Sequence, residues 1–231
     1  MIYRPEKING INVPYNMLIE DIKKMLNDDM QKFSVACEAL AAYETQESLD
    51  ILTSFFKNDD AFKRRVAIDA IARHIFWEQV SDEVMEYLND ESPYVVRTVL
   101  DIITQKKIYK VHDRLIKMLK TCDINMLESI FSTLSNIPLE SDFSLGIQYY
   151  EHKNENVQKI AVTLILKTAD KNNWNIAFHA LKKSNRPKDR LAACKLLNCF
   201  GDVEKSENIK EFLFDVDGHV RKYAQSAINN N

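Results

Sequence analysis

The feature that most constrains this chain is a repeat of 30–33 residues that runs almost from end to end. Near the end of the sequence, FDVDGHVRKYAQSAI places Arg221 just after an acidic turn and Ala224 three residues later. The same order of polar turn, register residue and small or apolar residue recurs six times upstream. A steady period of this length is the signature of a stacked repeat architecture. The seven register residues are Phe33, Arg64, Arg97, Leu127, Gln158, Arg190 and Arg221.

Each repeat is predicted to form two helices. An amphipathic stretch precedes the polar turn, and in MLIEDIKKML the residues Leu18, Ile22 and Met25 fall on one helical face. Asn and Asp side chains in the turn then cap the second helix. One such hairpin cannot bury its apolar face alone, whereas stacked hairpins make a continuous core. The small number of turn residues, 4 Gly and 5 Pro in 231 residues, agrees with helices joined by short loops.

This pattern resembles the HEAT-repeat family, in particular its short bacterial and phycobilisome-lyase-like class. The likeness covers about residues 16–229. Its period is shorter than the roughly 40–47 residues of long HEAT and armadillo repeats. Three register positions also lack the arginine, having Phe33, Leu127 and Gln158. The residues that carry the resemblance are Asp215, Val220, Arg221 and Ala224, with Arg64, Arg97 and Arg190 at matching places.

The predicted fold is all-α, a right-handed α-solenoid of about seven antiparallel helical hairpins. Residues 1–15 are expected to form an N-terminal extension that caps the first repeat, and residues 16–231 a single repeat domain. The register arginines are interpreted as structural, each bonding to a turn aspartate of an adjacent repeat.

Composition narrows the class of protein. The totals of 31 Lys+Arg and 34 Asp+Glu give a net charge of −3, which argues against a general nucleic-acid binder. The four cysteines show no metal spacing, so they are expected to be reduced thiols in a cytoplasmic protein. No signal-type or membrane-spanning apolar run is found in the sequence, and neither a membrane partner nor an oligomer is expected.

No catalytic motif is found in the sequence, so the chain is expected to be no enzyme and to need no cofactor or metal. The turn DVDGHV suggests a calcium loop, but Val220 stands where that loop needs glycine and Ser226 where it needs glutamate. The five histidines have no metal-binding spacing.

One enzymatic alternative is a DNA glycosylase of the kind built from HEAT-like repeats. Such enzymes place tryptophans and an aspartate on a basic concave face. Asp69 lies on a predicted second helix between Arg65 and Arg73, but Trp77 is predicted to end a second helix and Trp174 to open a first helix. A simpler interpretation is that the three charges form ion pairs at i, i+4 spacing on a solvated face.

The charges segregate along the repeat. The predicted second helices carry an excess of basic residues, so the remainder must be acidic because the net charge is −3. The resemblance implies that the second helices line the concave side of the solenoid. On each second helix we consider the residue that follows the register residue and then every fourth residue. Lys and Arg are frequent at these positions, so they are expected to form a basic stripe on the concave side. Its members are Arg65, Arg73, Lys106, Lys159, Lys167, Lys195 and Lys222.

Two interpretations of the basic stripe stay open. Exposed helix faces carry Lys and Arg for solubility. The functional hypothesis is a non-enzymatic scaffold that binds a protein partner with an acidic surface. A nucleic-acid binder or a HEAT-like DNA glycosylase is the alternative.

Overall fold

The computed structural model describes residues 5–201 and 205–229. Within them, fourteen α-helices follow one another as seven pairs at the places that the repeat predicts. The register residue is the fourth residue of the second helix in six pairs and the fifth in the third pair. The seven helical hairpins predicted from the sequence are therefore confirmed.

The chain packs as two compact units, Met1–Ile116 and Lys117–Asn231. The first unit begins with a two-stranded antiparallel hairpin that packs against the second helix of the first repeat. Strands β1 and β2 are Lys7–Ile8 and Ile11–Asn12, and the helices are α1 Ile19–Met25, α2 Met30–Ala41, α3 Gln46–Thr53, α4 Ala61–Ile71, α5 Trp77–Glu86 and α6 Pro93–Lys106. A 3₁₀ turn, Tyr87–Asn89, continues α5 and packs on α6.

The boundary between the units falls within the next helix, α7. The helices from this point are α7 His112–Leu119, α8 Ile124–Asn136, α9 Phe143–Tyr149, α10 Glu155–Thr168, α11 Trp174–Leu181, α12 Pro187–Phe200, α13 Lys205–Glu211 and α14 Gly218–Asn229. Short 3₁₀ turns precede α7 and α9 and follow α13, at Tyr109–Val111, Glu140–Asp142 and Phe212–Phe214.

Side chains in the polar turns set where the second helices begin. In α2, α4, α8 and α10 the N-cap side chain accepts hydrogen bonds from backbone N–H groups of the first turn, which have no partner inside the helix. Helices α6 and α12 begin instead with proline, whose fixed φ suits the first helical position. The capping residues of these helices are Asp29, Asp60, Asp123 and Asn154, and Asp217 accepts from the first turn of α14 in the same way.

Small and apolar residues three positions after the register residue hold the helices together. Within each unit, successive second helices pack on one another, α2 to α4 to α6 in the first and α8 to α10 to α12 to α14 in the second. All seven of these residues are at most 1% exposed, so the repeat places one buried contact in every second helix. They are Ala36, Ala67, Leu100, Ile130, Ala161, Ala193 and Ala224.

Candidate partner-binding surface

Two register arginines join one repeat to the next. Arg64 donates from Nε and Nη2 to both carboxylate oxygens of Asp90, at 2.9 and 2.8 Å, and from Nη1 to the carbonyl of Asn58. Arg190 pairs with Asp215 in the same way, at 2.7 and 2.8 Å, and donates to the carbonyl of Ser184. Each arginine thus holds its own turn and the turn that follows, as predicted for the register arginines. The hydrogen bond from Arg190 lowers the pKa of Asp215 below its ordinary value.

The other register positions use different contacts. Among the described residues, Arg221 donates only to the carbonyls of its own turn, Asp215 and Val216. The Nε of Arg97 is buried without a hydrogen-bond partner in the described part of the chain, so the predicted pairing fails at that atom. Phe33 and Leu127 lie in the core.

At the fifth repeat the direction of the contact is reversed. Gln158 occupies the register position, and Arg186 from the following turn donates back to its side chain and to the carbonyl of Tyr150. Arg186 also pairs with Asp189, which is 3% exposed. An arginine therefore links the fifth and sixth repeats as well. It lies in the turn of the sixth repeat, whereas the sequence pattern predicts it at the register position of the fifth.

In the first unit, the basic stripe is partly neutralised inside the protein. Arg73, in the turn after α4, forms ion pairs with Glu38 on α2, at 2.6 Å, and with Asp69 on α4, at 3.0 Å. The Glu38 side chain is only 5% exposed, so the Arg73 pair joins two repeats. Arg65 lies over the Phe62 ring at 5.3 Å.

Lys106, the third stripe residue of this unit, is exposed and lies over the ring of Trp77 at 4.9 Å. Partial burial lowers the pKa of its ammonium group below the ordinary value. A cation held against an aromatic face keeps its charge while its stem covers apolar surface.

The residues that suggested a glycosylase, Asp69, Trp77 and Trp174, have other positions and contacts than a glycosylase site would need. Asp69 accepts a hydrogen bond from Arg73 at i, i+4 spacing, as the simpler interpretation predicts, but Arg65 forms no ion pair with a described residue. Trp77 is the first residue of α5 and is 4% exposed, so the prediction that it ends a second helix is wrong. The helix α4 ends early, and a turn that runs from Ala72 to Phe76 separates it from Trp77. Trp174 opens α11 as predicted.

In the second unit the stripe residues are exposed on α10, α12 and α14. Lys159 pairs with Glu155 at 2.8 Å, and Lys167 donates to the carbonyl of Ser135 on α8. Lys195 and Lys222 form no ion pair with any described residue. The stripe residues of this unit that form no ion pair with a described residue are therefore Lys167 on α10, Lys195 on α12 and Lys222 on α14.

A cavity of about 460 Å³ lies at the amino-terminal ends of α10, α12 and α14. Pro187, Leu191 and Val220 are apolar residues in its lining, and Lys188 and His219 are exposed at it. Lys159 of the stripe lies on one side. The cavity was not predicted from the sequence. A sequence feature that could have indicated the cavity is Leu191. This apolar residue occupies a stripe position at which α10 and α14 have Lys159 and Lys222.

The described residues contain no group of three or more His, Cys, Asp or Glu that could hold a metal ion. Among the helices of the same part of the chain, none has both the length and the apolar character needed to cross a membrane.

Comparison with known proteins gives likenesses in structure only. No protein-family model and no curated protein matches the chain. The whole chain (100%) aligns with 92% of a chain in the complex of CpcE and CpcF of phycocyanin lyase from Nostoc sp. PCC7120, at 16% identity and a TM-score of 0.53. The fold is that of a HEAT-like helical repeat. At this identity the likeness establishes the all-α solenoid class and nothing about activity.

Two further solved structures are similar over most of their length. An engineered protein aligns with 92% of this chain and 95% of its own, at 17% identity and a TM-score of 0.44. A designed armadillo repeat protein aligns with 92% of this chain and 99% of its own, at 15% identity and a TM-score of 0.34.

Proposed function

We propose that this protein is a non-enzymatic helical-repeat scaffold that binds a protein partner with an acidic surface. The observation that carries the proposal is the exposure of Lys195 and Lys222 on neighbouring second helices, without an ion pair to a described residue. Like charges left unpaired raise the local positive potential, which attracts an acidic partner and speeds its encounter.

The two units contribute unequally to this surface. Arg65 and Lys106 keep their charges in the first unit, but Arg73 is offset by Glu38 and Asp69. The second unit holds the remaining four stripe residues, of which Lys159 is offset by Glu155 and Lys167 extends the charge along α10. The basic side chains of the second unit are therefore the main binding surface in this proposal.

The setting we propose is a monomer in the bacterial cytoplasm. All four cysteines are free, which suits a reducing compartment. The exposed side chains of α14 include Arg221, Lys222, Gln225 and Ser226, and a polar face of this kind suits a monomer.

The test begins with a pull-down from the native host and mass spectrometry, followed by binding measurements on the purified partner. Replacing both Lys195 and Lys222 with Glu is expected to weaken binding about tenfold or more, chiefly by slowing association. The melting temperature should stay nearly unchanged because exposed charges contribute little to stability. In a matched control, the exposed Lys171 and Lys210 are replaced with Glu, and the affinity for the partner should stay the same. Equal affinity of the reversed and native proteins would refute the proposed surface.

The alternative function, nucleic-acid binding or a HEAT-like glycosylase, makes a different prediction. A groove that tracks phosphates would retain the protein on heparin, and elution would depend steeply on salt. Asp69 is held by Arg73, which favours the scaffold. Weak retention on heparin together with tight binding of an acidic protein would support the scaffold.

A further inference from the structure

We propose that the cavity at the amino-terminal ends of α10, α12 and α14 receives an apolar side chain from an extended acidic segment of the partner. This inference rests on the proposed function and adds the chemistry of the segment that is bound. The cavity and the unpaired cations around it lie within the second unit.

The cavity has the size and the lining of a binding pocket. Its volume of about 460 Å³ lies within the range of roughly 300–1,000 Å³ that is typical of ligand pockets. Leu191 is half-buried and packs against the core of the unit, and Pro187 is exposed beside it. An apolar side chain placed here would leave water for an apolar wall, which is the main favourable term in such contacts.

The carboxylates around the cavity are already engaged within the protein. Glu155 pairs with Lys159 at 2.8 Å. Asp189 accepts from Ser184 and Arg186, both at 2.7 Å. In the last turn, Asp215 is held by Arg190, and Asp217 accepts from the backbone N–H of His219 at 2.8 Å and of Val220. Of these carboxylates, Glu155, Asp189 and Asp215 are neutralised by a paired cation, whereas Asp217 keeps its charge and is held by backbone N–H groups.

Three cations form no ion pair with any described carboxylate: Lys188 in the lining, and Arg221 and Lys222, which directly follow the lining residue Val220. Lys188 is exposed at the cavity, and Lys222 occupies on α14 the position that Leu191 occupies on α12. Arg221, one residue before Lys222, donates to the backbone carbonyls of Asp215 and Val216. Each of these carboxylates except Asp217 has a cation of its own, so Lys188, Arg221 and Lys222 leave an excess of positive charge beside the apolar wall of the cavity. The complementary ligand has acidic residues on both sides of an apolar one.

The experiment selects binders from a displayed library of random short peptides, using the full chain as bait. The expected result is enrichment of acidic peptides that share one apolar residue. Replacing that residue with Ser in a recovered peptide should weaken binding about tenfold, as for an anchor side chain at an interface. If no peptides are enriched, or if the enriched peptides are basic or neutral, the proposal is wrong.

Two variants locate the site. Leu191→Gln keeps the length and helix propensity of the side chain but removes the apolar wall, and Lys188→Glu reverses a positive charge beside it. Each should weaken the recovered peptide about tenfold, whereas Ile176→Gln and Lys171→Glu, on exposed side chains elsewhere in the unit, should not. Circular dichroism and the melting temperature confirm that each variant is folded. Undiminished peptide binding by folded Leu191→Gln would contradict the cavity as the site.

The outcomes separate this inference from the proposed function. If the partner from the native host loses affinity when Lys195 and Lys222 are reversed but not when Leu191 is changed, the basic surface stands and the cavity proposal is wrong. If neither change weakens the partner, the proposed function itself is wrong. If short oligonucleotides displace the peptide and the partner does not, a nucleic-acid ligand is favoured. This result would overturn both the cavity proposal and the proposed function.

Discussion

Arg190 shows how a single residue type can join two repeats. One end of its guanidinium holds the turn before its own helix, and the other holds Asp215 in the next turn. The side chains of this pair are only 12% and 7% exposed, and the geometry is bidentate. A pair of this kind is costly to break because the remaining charge is left with little solvent.

We therefore expect Asp215→Asn to lower the free energy of unfolding by about 3 kcal/mol near neutral pH. Asparagine keeps the acceptor that Asp215 offers to the N–H of Asp217, so the change removes mainly the charge. The pKa of Asp215 is lowered in the folded state. Its stabilisation is thus full above the unfolded pKa of about 3.9 and is lost as pH falls through the folded value.

Urea denaturation near neutral pH and in acid measures this difference. The native and Asp215→Asn proteins should converge in acid. Asp113→Asn, at a side chain that is 97% exposed, is the control and should change stability by less than about 0.5 kcal/mol. A difference in stability between the native and Asp215→Asn proteins that persists unchanged in acid would show that the ion pair is not the cause.

The cysteines should differ in reactivity according to burial. Burial raises the pKa of Cys37 and raises that of Cys194 to about 12, so neither forms a thiolate readily. Cys199 is exposed. With a thiol reagent under native conditions, Cys199 should be modified first and Cys37 and Cys194 only after unfolding. Mass spectrometry of digested protein tests this order, and Cys199→Ser should remove the fast phase. Native modification of Cys194 would contradict its burial.

At the scale of the helices, close packing depends on residues without bulk. A β-carbon added at Gly146 on α9 would lie 2.7 Å from the Ile165 side chain and 3.2 Å from the carbonyl of Ala161 on α10. Gly146→Ala gains helix propensity of about 1 kcal/mol, but overpacking costs roughly 1–3 kcal/mol. We expect a net loss of stability in chemical denaturation. Gln148→Ala, an exposed change on the same helix, should not lose stability. A stabilised Gly146→Ala protein would show that the two helices can separate at no cost.

The alanine of each repeat makes the same kind of contact between second helices. Ala193 is 0% exposed on α12, which packs against α10 and α14. Ala193→Leu should therefore lower the free energy of unfolding by roughly 1–3 kcal/mol. Lys195→Leu adds similar apolar bulk to an exposed position of the same helix and should be close to neutral. Native stability of Ala193→Leu, measured by thermal unfolding, would place this residue at a surface.

The helix pairs could be predicted from the sequence because their signals are local. A capping side chain, an apolar period and a small residue all lie within one repeat. The state of Arg73 could not be predicted, because Glu38 is 35 residues away and its carboxylate meets the guanidinium only after two repeats have packed. The cavity was missed for a similar reason. Its lining comes from three helices, and only stacking brings Pro187, Leu191 and Val220 together.

At the scale of the whole molecule, stability comes from interfaces between neighbouring repeats. The last repeat covers the sixth, and Phe212, Val220 and Ala224 belong to one buried cluster with Ala193 and Leu197 of α12. The outward positions of α14 are polar. The last hairpin is therefore both a source of core contacts and a cover for the apolar face of α12.

Removing residues 201–231 should leave a chain that is still helical but tends to aggregate. Repeats stabilised by nearest neighbours retain their structure when a terminal unit is removed, because most interfaces are intact. The apolar face of α12 loses its cover, and exposed apolar patches promote association. Circular dichroism should show a helical signal per residue close to that of the full chain, with a lower melting temperature. Light scattering should show association that grows with concentration, whereas the full chain at the same concentration should not. A truncated chain that has lost its helical signal would mean that all the repeats fold as one cooperative globule.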